Sequence, residues 1–253
     1  MSAMRRTFVG GQASDRGIVN PVGCRMWYDD LIYKKSWSTL WSGLIVCGKC
    51  LGIRGTEGEC PVCGVGLPEQ ELMLHRVDGD DVVVSTICYM GAEGRFEDYV
   101  YLKMLEREWK RPLTEADELA AKDPRQKLSP KSAIVVLFWS YFETRIARLL
   151  RDSMRDVPGK YVDYMLGRNS GIESRLREFY KFMFETTYWA DLTALGFDRV
   201  KEHLLKVQKH RNDFAHGDPN AIDDALVKAV VDNLKDEHES WIAVYNKRAA
   251  RQL

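Results

Sequence analysis

Residues 130–156 read PKSAIVVLFWSYFETRIARLLRDSMRD, and this stretch decides the fold class. Ile134, Val135, Phe138, Phe142, Ile146, Leu149 and Leu150 recur at helical spacing, which predicts one long helix. Ser129 is its expected N-cap and Pro130 its first-turn residue, where the missing N–H goes unused. Pro158-Gly159 is the expected stop. Val136, Leu137, Trp139 and Tyr141 make the other side apolar too. A helix apolar on several faces is expected to be buried by more than its own domain, as at an oligomer interface.

Toward the C-terminus the pattern predicts three more helical segments, at about 172–189, 198–215 and 220–248, with Pro219 just ahead of the last. Toward the N-terminus, 96–110 has helical spacing and ends near Pro112, and Thr114 is placed to cap a short helix. Asp123-Pro124 and Ser129-Pro130 punctuate a linker. Before residue 95 the chain changes character. Asp78-Gly79-Asp80-Asp81 reads as a turn feeding a β-branched strand over 82–89. Residues 45–68 hold six glycines between Gly48 and Gly66, a composition suited to tight turns rather than regular elements. Aromatics (Trp27, Tyr28, Tyr33, Trp37, Trp41) crowd the segment before it. The expected plan is mainly α: a flexible arm at 1–23, a small mixed N-terminal region at 24–95, a helical bridge at 96–128 and a C-terminal helical bundle at 129–253.

Composition narrows the function classes. The chain has 253 residues, 45% of them hydrophobic, which is ample for a packed core. Lys+Arg and Asp+Glu both number 37, so a protein that coats nucleic acid without specificity is not expected, although a local basic patch is compatible. The longest purely apolar run, Ala133–Trp139, is far short of the ~20 residues of a membrane span. The first residues have no apolar core of a secretory signal, so the expected compartment is cytoplasmic, with no membrane partner. Six cysteines in such a chain suggest thiols and metal ligation rather than a disulfide framework. No Walker-type loop, dinucleotide fingerprint or H-E-x-x-H occurs.

Cys47-Gly-Lys-Cys50, nine residues, then Cys60-Pro-Val-Cys63-Gly64 make a C-x₂-C…C-x₂-C array. Two residues between thiolates let each pair grip one ion from a tight turn, with Gly48 and Gly64 at the turns. Four thiolates in a tetrahedron favour Zn²⁺, and they leave no open position for water or substrate. One structural zinc is therefore expected, with unligated thiols or a redox pair as the competing reading. The second half resembles the knuckle of zinc ribbons. Lys49 and Arg54 are its basic residues, and they bear on whether it touches nucleic acid. Cys24 and Cys88 are expected to be buried apolar residues.

The second signal lies in 201–219, KEHLLKVQKHRNDFAHGDP. Five residues of regular helix advance about 500°, so Arg211 and His216 share a face only if the helix ends between them. Gly217 and Asp218-Pro219 predict such an end, with Gly217 as the left-handed residue after the cap. Lys201, His203, Lys206, Lys209 and His210 cluster upstream. A histidine near neutrality can move a proton to or from a ribose hydroxyl or leaving oxygen, and an arginine can hold the charge growing on a phosphate. A solvated pair stabilising the helix dipole is the plainer alternative.

Arg211-Asn212-x-x-x-His216, late in a helical bundle, resembles the R-polar-x-H motif of the HEPN family, as does the helix reading FWSYFETRIARLL with Glu143 inside it. The resemblance covers about residues 129–250. It implies an all-helical, commonly dimeric domain, often a metal-independent endoribonuclease acting as a toxin or antiviral effector under an antitoxin or other regulator. Carried over, Arg211 would bind the scissile phosphate of an RNA substrate, His216 would be the acid/base, and Asn212 and Glu143 would support them, with no catalytic cofactor. Members without catalysis serve as dimerisation or interaction modules, which is the alternative function. Phe179, Tyr180, Phe182, Phe184, Tyr188 and Trp189 are expected to be mostly core. His75, His238, Asp223-Asp224 and Asp236-Glu237 are expected at the surface.

Overall fold

The computed structural model describes residues 37, 40, 44–55, 58–66, 74–78, 81–85, 96–123 and 125–251, with backbone alone across the strands of 74–85. The arm 1–23, Cys24 and Cys88 lie outside these residues. The chain divides into two units, residues 1–96 with 250–253, and residues 97–249.

In the first unit, β1 (Leu44–Val46) and β2 (Ile53–Gly55) pair antiparallel, Leu44 opposite Gly55 and Val46 opposite Ile53. The glycine-rich segment thus contains short strands as well as turns. A hairpin follows, β3 (Leu74–Asp78) with β4 (Asp81–Ser85), in which Asp78 faces Asp81 across a two-residue connection. The strand expected over 82–89 is seen as Asp81–Ser85, with Gly79, Asp80 and 86–89 outside the described residues, and β3 is a partner that the alternation of Leu74–Asp78 did not reveal.

The second unit is helical. Helix α1 (Phe96–Lys110) has the expected bounds, burying Leu102 and Leu105. Helix α2 (Glu115–Ala121) starts with a reciprocal cap. Thr114 Oγ1 accepts from the Asp117 N–H at 3.2 Å, and Asp117 Oδ2 accepts from the Thr114 N–H at 2.9 Å. The Thr114 N–H, then Arg111, hold the Asp117 carboxyl down to about 2.

The central helix, α3 (Ala133–Ser153), begins three residues later than expected. The N-cap is Ser132 rather than Ser129 and makes no side-chain capping bond, while Ser129 Oγ accepts from the Lys131 N–H at 3.1 Å in the turn ahead of it. The first turn is tightened by bonds from Ser132 N to Ser129 O and from Val135 N to Ser132 O, each 3.0 Å, so Pro130 sits in a 3₁₀-like lead-in. Ile134, Phe138, Phe142 and Ile146 are fully buried, and so are Trp139 and Tyr141 on the other side. Each such side chain contributes roughly 1.5–3 kcal/mol of burial. The unit itself supplies the cover: α4 (Gly159–Arg168), α7 (Asp198–Ala215), α8 (Asp224–Asp232) and α9 (Leu234–Arg248) all pack on α3. The all-round apolar character therefore marks a bundle axis and needs no second subunit.

Helix α4 was hidden in sequence behind Pro158, its N-cap. The expected helix at 172–189 is interrupted. It consists of Ile172–Ser174, a π turn over Arg175–Phe179 and Tyr180–Phe184, together α5, before Glu185 takes a left-handed φ of 58°. Helix α6 (Tyr188–Ala194) then starts under Thr187, whose side chain accepts from the Ala190 N–H at 3.2 Å. The last expected helix splits at Asn233, whose side chain donates to Ala229 O at 2.8 Å, and α8 begins at the Asp223 cap rather than at Asn220. Phe179, Tyr180 and Tyr188 are core, as expected, whereas Phe182 is 75% exposed.

Candidate functional site

The four cysteines converge. The Sγ atoms of Cys47, Cys50, Cys60 and Cys63 all lie within 4.8 Å of one another, and Cys47–Cys63 and Cys50–Cys60 approach to 3.6 Å. A tetrahedron of sulfurs each about 2.3 Å from its centre has edges of about 3.8 Å, so the cluster fits one four-coordinate ion. Two equivalent knuckles build it. Cys47 N–H donates to Gly52 O and Leu51 N–H to Cys47 O; likewise Cys60 N–H donates to Val65 O and Gly64 N–H to Cys60 O. The left-handed position follows the second cysteine of each pair, at Leu51 (φ 62°) and Gly64 (φ 71°). Gly64 meets the expectation; in the first knuckle the strained residue is Leu51, not Gly48. Burial pushes the Cys50 thiol up, which a bound cation would reverse.

Arg54 is turned inward. Its side chain is buried, and the guanidinium donates to Gly55 O at 3.0 Å, Val65 O at 2.7 Å and Gly58 O, stitching β2 to the second knuckle. Lys49 remains exposed.

The second candidate closes α7. His216 is the C-cap and Gly217 follows at φ 103°. Asp218 N–H reaches Asp213 O at 3.0 Å and Gly217 N–H reaches Phe214 O at 3.1 Å, the Schellman pattern that the glycine implied. The helix stays regular to Ala215, and the His216 N–H still reaches Asn212 O at 2.9 Å, so the end falls at His216 rather than between it and Arg211; the two stand about 140° apart around the axis, and His216 is exposed. Arg211 and Asn212 are half-buried one turn back, joined by Arg211 Nη1 donating to Asn212 Oδ1 at 3.2 Å.

The loop beyond is pinned on both sides. His210 Nδ1 lies 2.8 Å from Ala221 O, so that nitrogen carries the proton and Nε2 is left over. Lys127 N–H donates to Asn220 Oδ1 and Ser129 N–H to Ile222 O, both at 2.8 Å. His210 thus has a fixed ring orientation that sequence could not reveal, because the partner is a backbone carbonyl eleven residues on. His203 faces Phe138, ring centroids 6.3 Å apart; burial first, and then Lys206, lower it to about 4. Lys201 and Lys209 are engaged with Thr193 and Asp213.

Glu143 is elsewhere. Helix α7 runs antiparallel to α3, its C-terminal loop at Ser129 and His203 level with Phe138. Glu143 lies five residues beyond Phe138, and Arg211 eight residues the other way, which separates them by about 20 Å along the axis. Glu143 instead acts on Arg175.

A third cluster escaped the sequence reading altogether. Glu237 and His238, expected at the surface, are buried, while Asp223, Asp224 and Asp236 are exposed as expected; the His75 side chain lies outside the described residues. Glu237 pairs with Arg145, and Asp98 pairs with Arg148 at 2.6 Å. The ligand-like appearance of these groups is misleading, because each carboxylate is spent on an arginine. No family model, curated protein or solved structure matches this chain.

Proposed function

We propose that the helical unit is a HEPN-like, metal-independent endoribonuclease, with Arg211 and His216 at the end of α7 as its reactive groups. The observation that carries the reading is the Gly217-terminated helix end, which leaves His216 exposed at the cap, five residues beyond a half-buried Arg211. The RNA supplies its own nucleophile. A ribose 2′-hydroxyl attacks the adjacent phosphorus, His216 takes or returns the proton, and the 5′-oxygen leaves. Arg211 holds the phosphate charge with its planar donors, and Asn212 keeps the guanidinium oriented through Oδ1. The products are a 2′,3′-cyclic phosphate and a 5′-hydroxyl. Glu143 has no part in this site. By the HEPN resemblance the working form is a homodimer, and the biological role that of a toxin or defence effector. The cysteine cluster supports a zinc ribbon holding one structural Zn²⁺, since four sulfurs leave no vacancy for substrate.

A non-catalytic interaction module is the second reading. It is favoured by the His216 imidazole, which takes no hydrogen bond from another described residue and so lacks the orienting partner common to acid/base histidines.

The deciding experiment incubates wild type and His216→Ala with total RNA in EDTA and analyses the fragment ends. Cleavage by wild type alone, leaving cyclic phosphates, upholds the enzyme. Products with 3′-hydroxyl ends, or no cleavage, remove it and leave the interaction module.

A further inference from the structure

Helix α4 turns an unusual strip outward. Val162 and Leu166 are buried against the bundle. At about 100° per residue, Lys160, Tyr161, Tyr164 and Arg168 fall within a ~100° arc on the opposite side of the helix. Tyr161 is 53% exposed and Tyr164 60%, far more than the core tyrosines of the same unit. Both rings are held by cations. Lys160 Nζ stands 5.0 Å from the Tyr161 centroid, and the Arg168 guanidinium stands 5.8 Å from that of Tyr164 while donating to its hydroxyl at 3.0 Å.

The charges of this strip are uncompensated. Neither Lys160 nor Arg168 has an acidic partner among the described residues, and the one nearby carboxylate on the helix, Asp163, is neutralised by Arg151 at 2.8 Å. Two exposed, pre-oriented aromatic rings flanked by two cations without acidic partners among the described residues, on a little over two turns of helix, suit one class of ligand. Bases stack on aromatic faces without regard to sequence, and the phosphates between them meet the cations. A protein partner would instead favour an apolar surround and charges paired across the contact.

We propose that the outer face of α4 is a stacking platform for single-stranded RNA, with Tyr161 and Tyr164 taking bases and Lys160 and Arg168 taking phosphates. The platform is remote from the Arg211–His216 end. The Arg151–Asp163 bond ties α4 to the C-terminal end of α3, whereas the α7 end lies by Ser129, before its start. Helix α3, 21 residues long, is about 30 Å from end to end. The platform therefore retains a strand without touching the bond that is cut, and it shares with the ribonuclease reading only its class of ligand.

The test uses the full chain carrying His216→Ala and a short fluorescein-labelled oligouridine. Adding Tyr161→Ala/Tyr164→Ala is expected to weaken binding by about tenfold or more. Lys160→Glu/Arg168→Glu is expected to weaken it as well and to lower the slope of log affinity against log salt by about 1.4. Absent binding, or unchanged affinity in both folded variants, overturns the platform. So does a tyrosine variant that loses self-association but keeps the oligonucleotide, since the strip would then be a contact between copies. Failure of the two readings is separable. Tyrosine-dependent binding without cleavage by the His216-intact chain leaves the platform standing alone. Cleavage whose rate at low RNA ignores Tyr161→Ala/Tyr164→Ala leaves only the α7 site. If both hold, the tyrosine variant raises KM and leaves the rate at saturating RNA unchanged.

Discussion

Arg145 donates to Glu237 across 2.7 Å with neither side chain exposed to solvent. The guanidinium lies between the rings of Tyr141 and Trp241, 4.7 and 4.5 Å from their centroids, so a cation on α3 is clamped by aromatics and answered by a carboxylate on α9. Breaking one member strands the other in a medium that cannot solvate it. Arg145→Ala or Glu237→Ala is expected to cost about 3–5 kcal/mol, while Arg145→Met/Glu237→Leu recovers most of the loss. Urea unfolding of the three variants measures both numbers.

His203 makes stability depend on acid. Burial lowers the folded imidazole to about 4, below its ordinary 6.5, so the unfolded chain binds the proton first as pH falls. Its contribution is complete above about pH 6.5 and is lost toward pH 4. Wild type is expected to lose more stability across that window than His203→Phe, which carries no titrating group beside Phe138 and Lys206. Unfolding midpoints at stepped pH report the difference.

The paired knuckles differ in backbone comfort. Gly64→Ala forces a Cβ into a left-handed turn and is expected to cost about 1–2 kcal/mol, read as weaker zinc retention against a competing chelator. Leu51→Gly relieves the same strain in the first knuckle, and its retention is expected to match or exceed wild type. Treatment with a chelator is expected to leave the far-ultraviolet helical signal almost unchanged, because the candidate metal ligands Cys47, Cys50, Cys60 and Cys63 lie outside the helical unit of residues 97–249.

Gly217, at φ 103°, governs where His216 stands. Gly217→Ala is expected to destabilise the α7 end by about 1–2 kcal/mol, and Gly217→Asn by less, since asparagine tolerates positive φ better. RNA cleavage is expected to fall in the same order. Equal cleavage by both variants would detach the helix end from the chemistry.

What could be read in the sequence was local. The cysteine spacing, the bounds of α1 and α7, and the left-handed Gly217 each depend on residues within a few positions of one another. What could not be read was set by partners far along the chain. Asp236-Glu237-His238 looks like a solvated run until Arg145, ninety-two residues away, draws Glu237 inward. Glu143 sits on a helix face that only the antiparallel pairing of α3 and α7 locates, and that pairing puts it far from Arg211. Helix α4 was missed because its buried face is only Val162 and Leu166, too few apolar residues for a periodic signal.

The π turn at Arg175–Phe179 holds one residue more than a regular helix of the same length would. Tyr180, just after it, is thereby turned so that its hydroxyl donates to Asp191 at 2.5 Å, the carboxylate that Arg248 also grips at 2.6 Å. Loss of that extra residue would close the widened turn into a regular one, so the helix from Tyr180 onward could keep its phase across a one-residue gap. The widened turn is therefore the one point of this helix where a single residue can be gained or lost without turning Tyr180 away from Asp191.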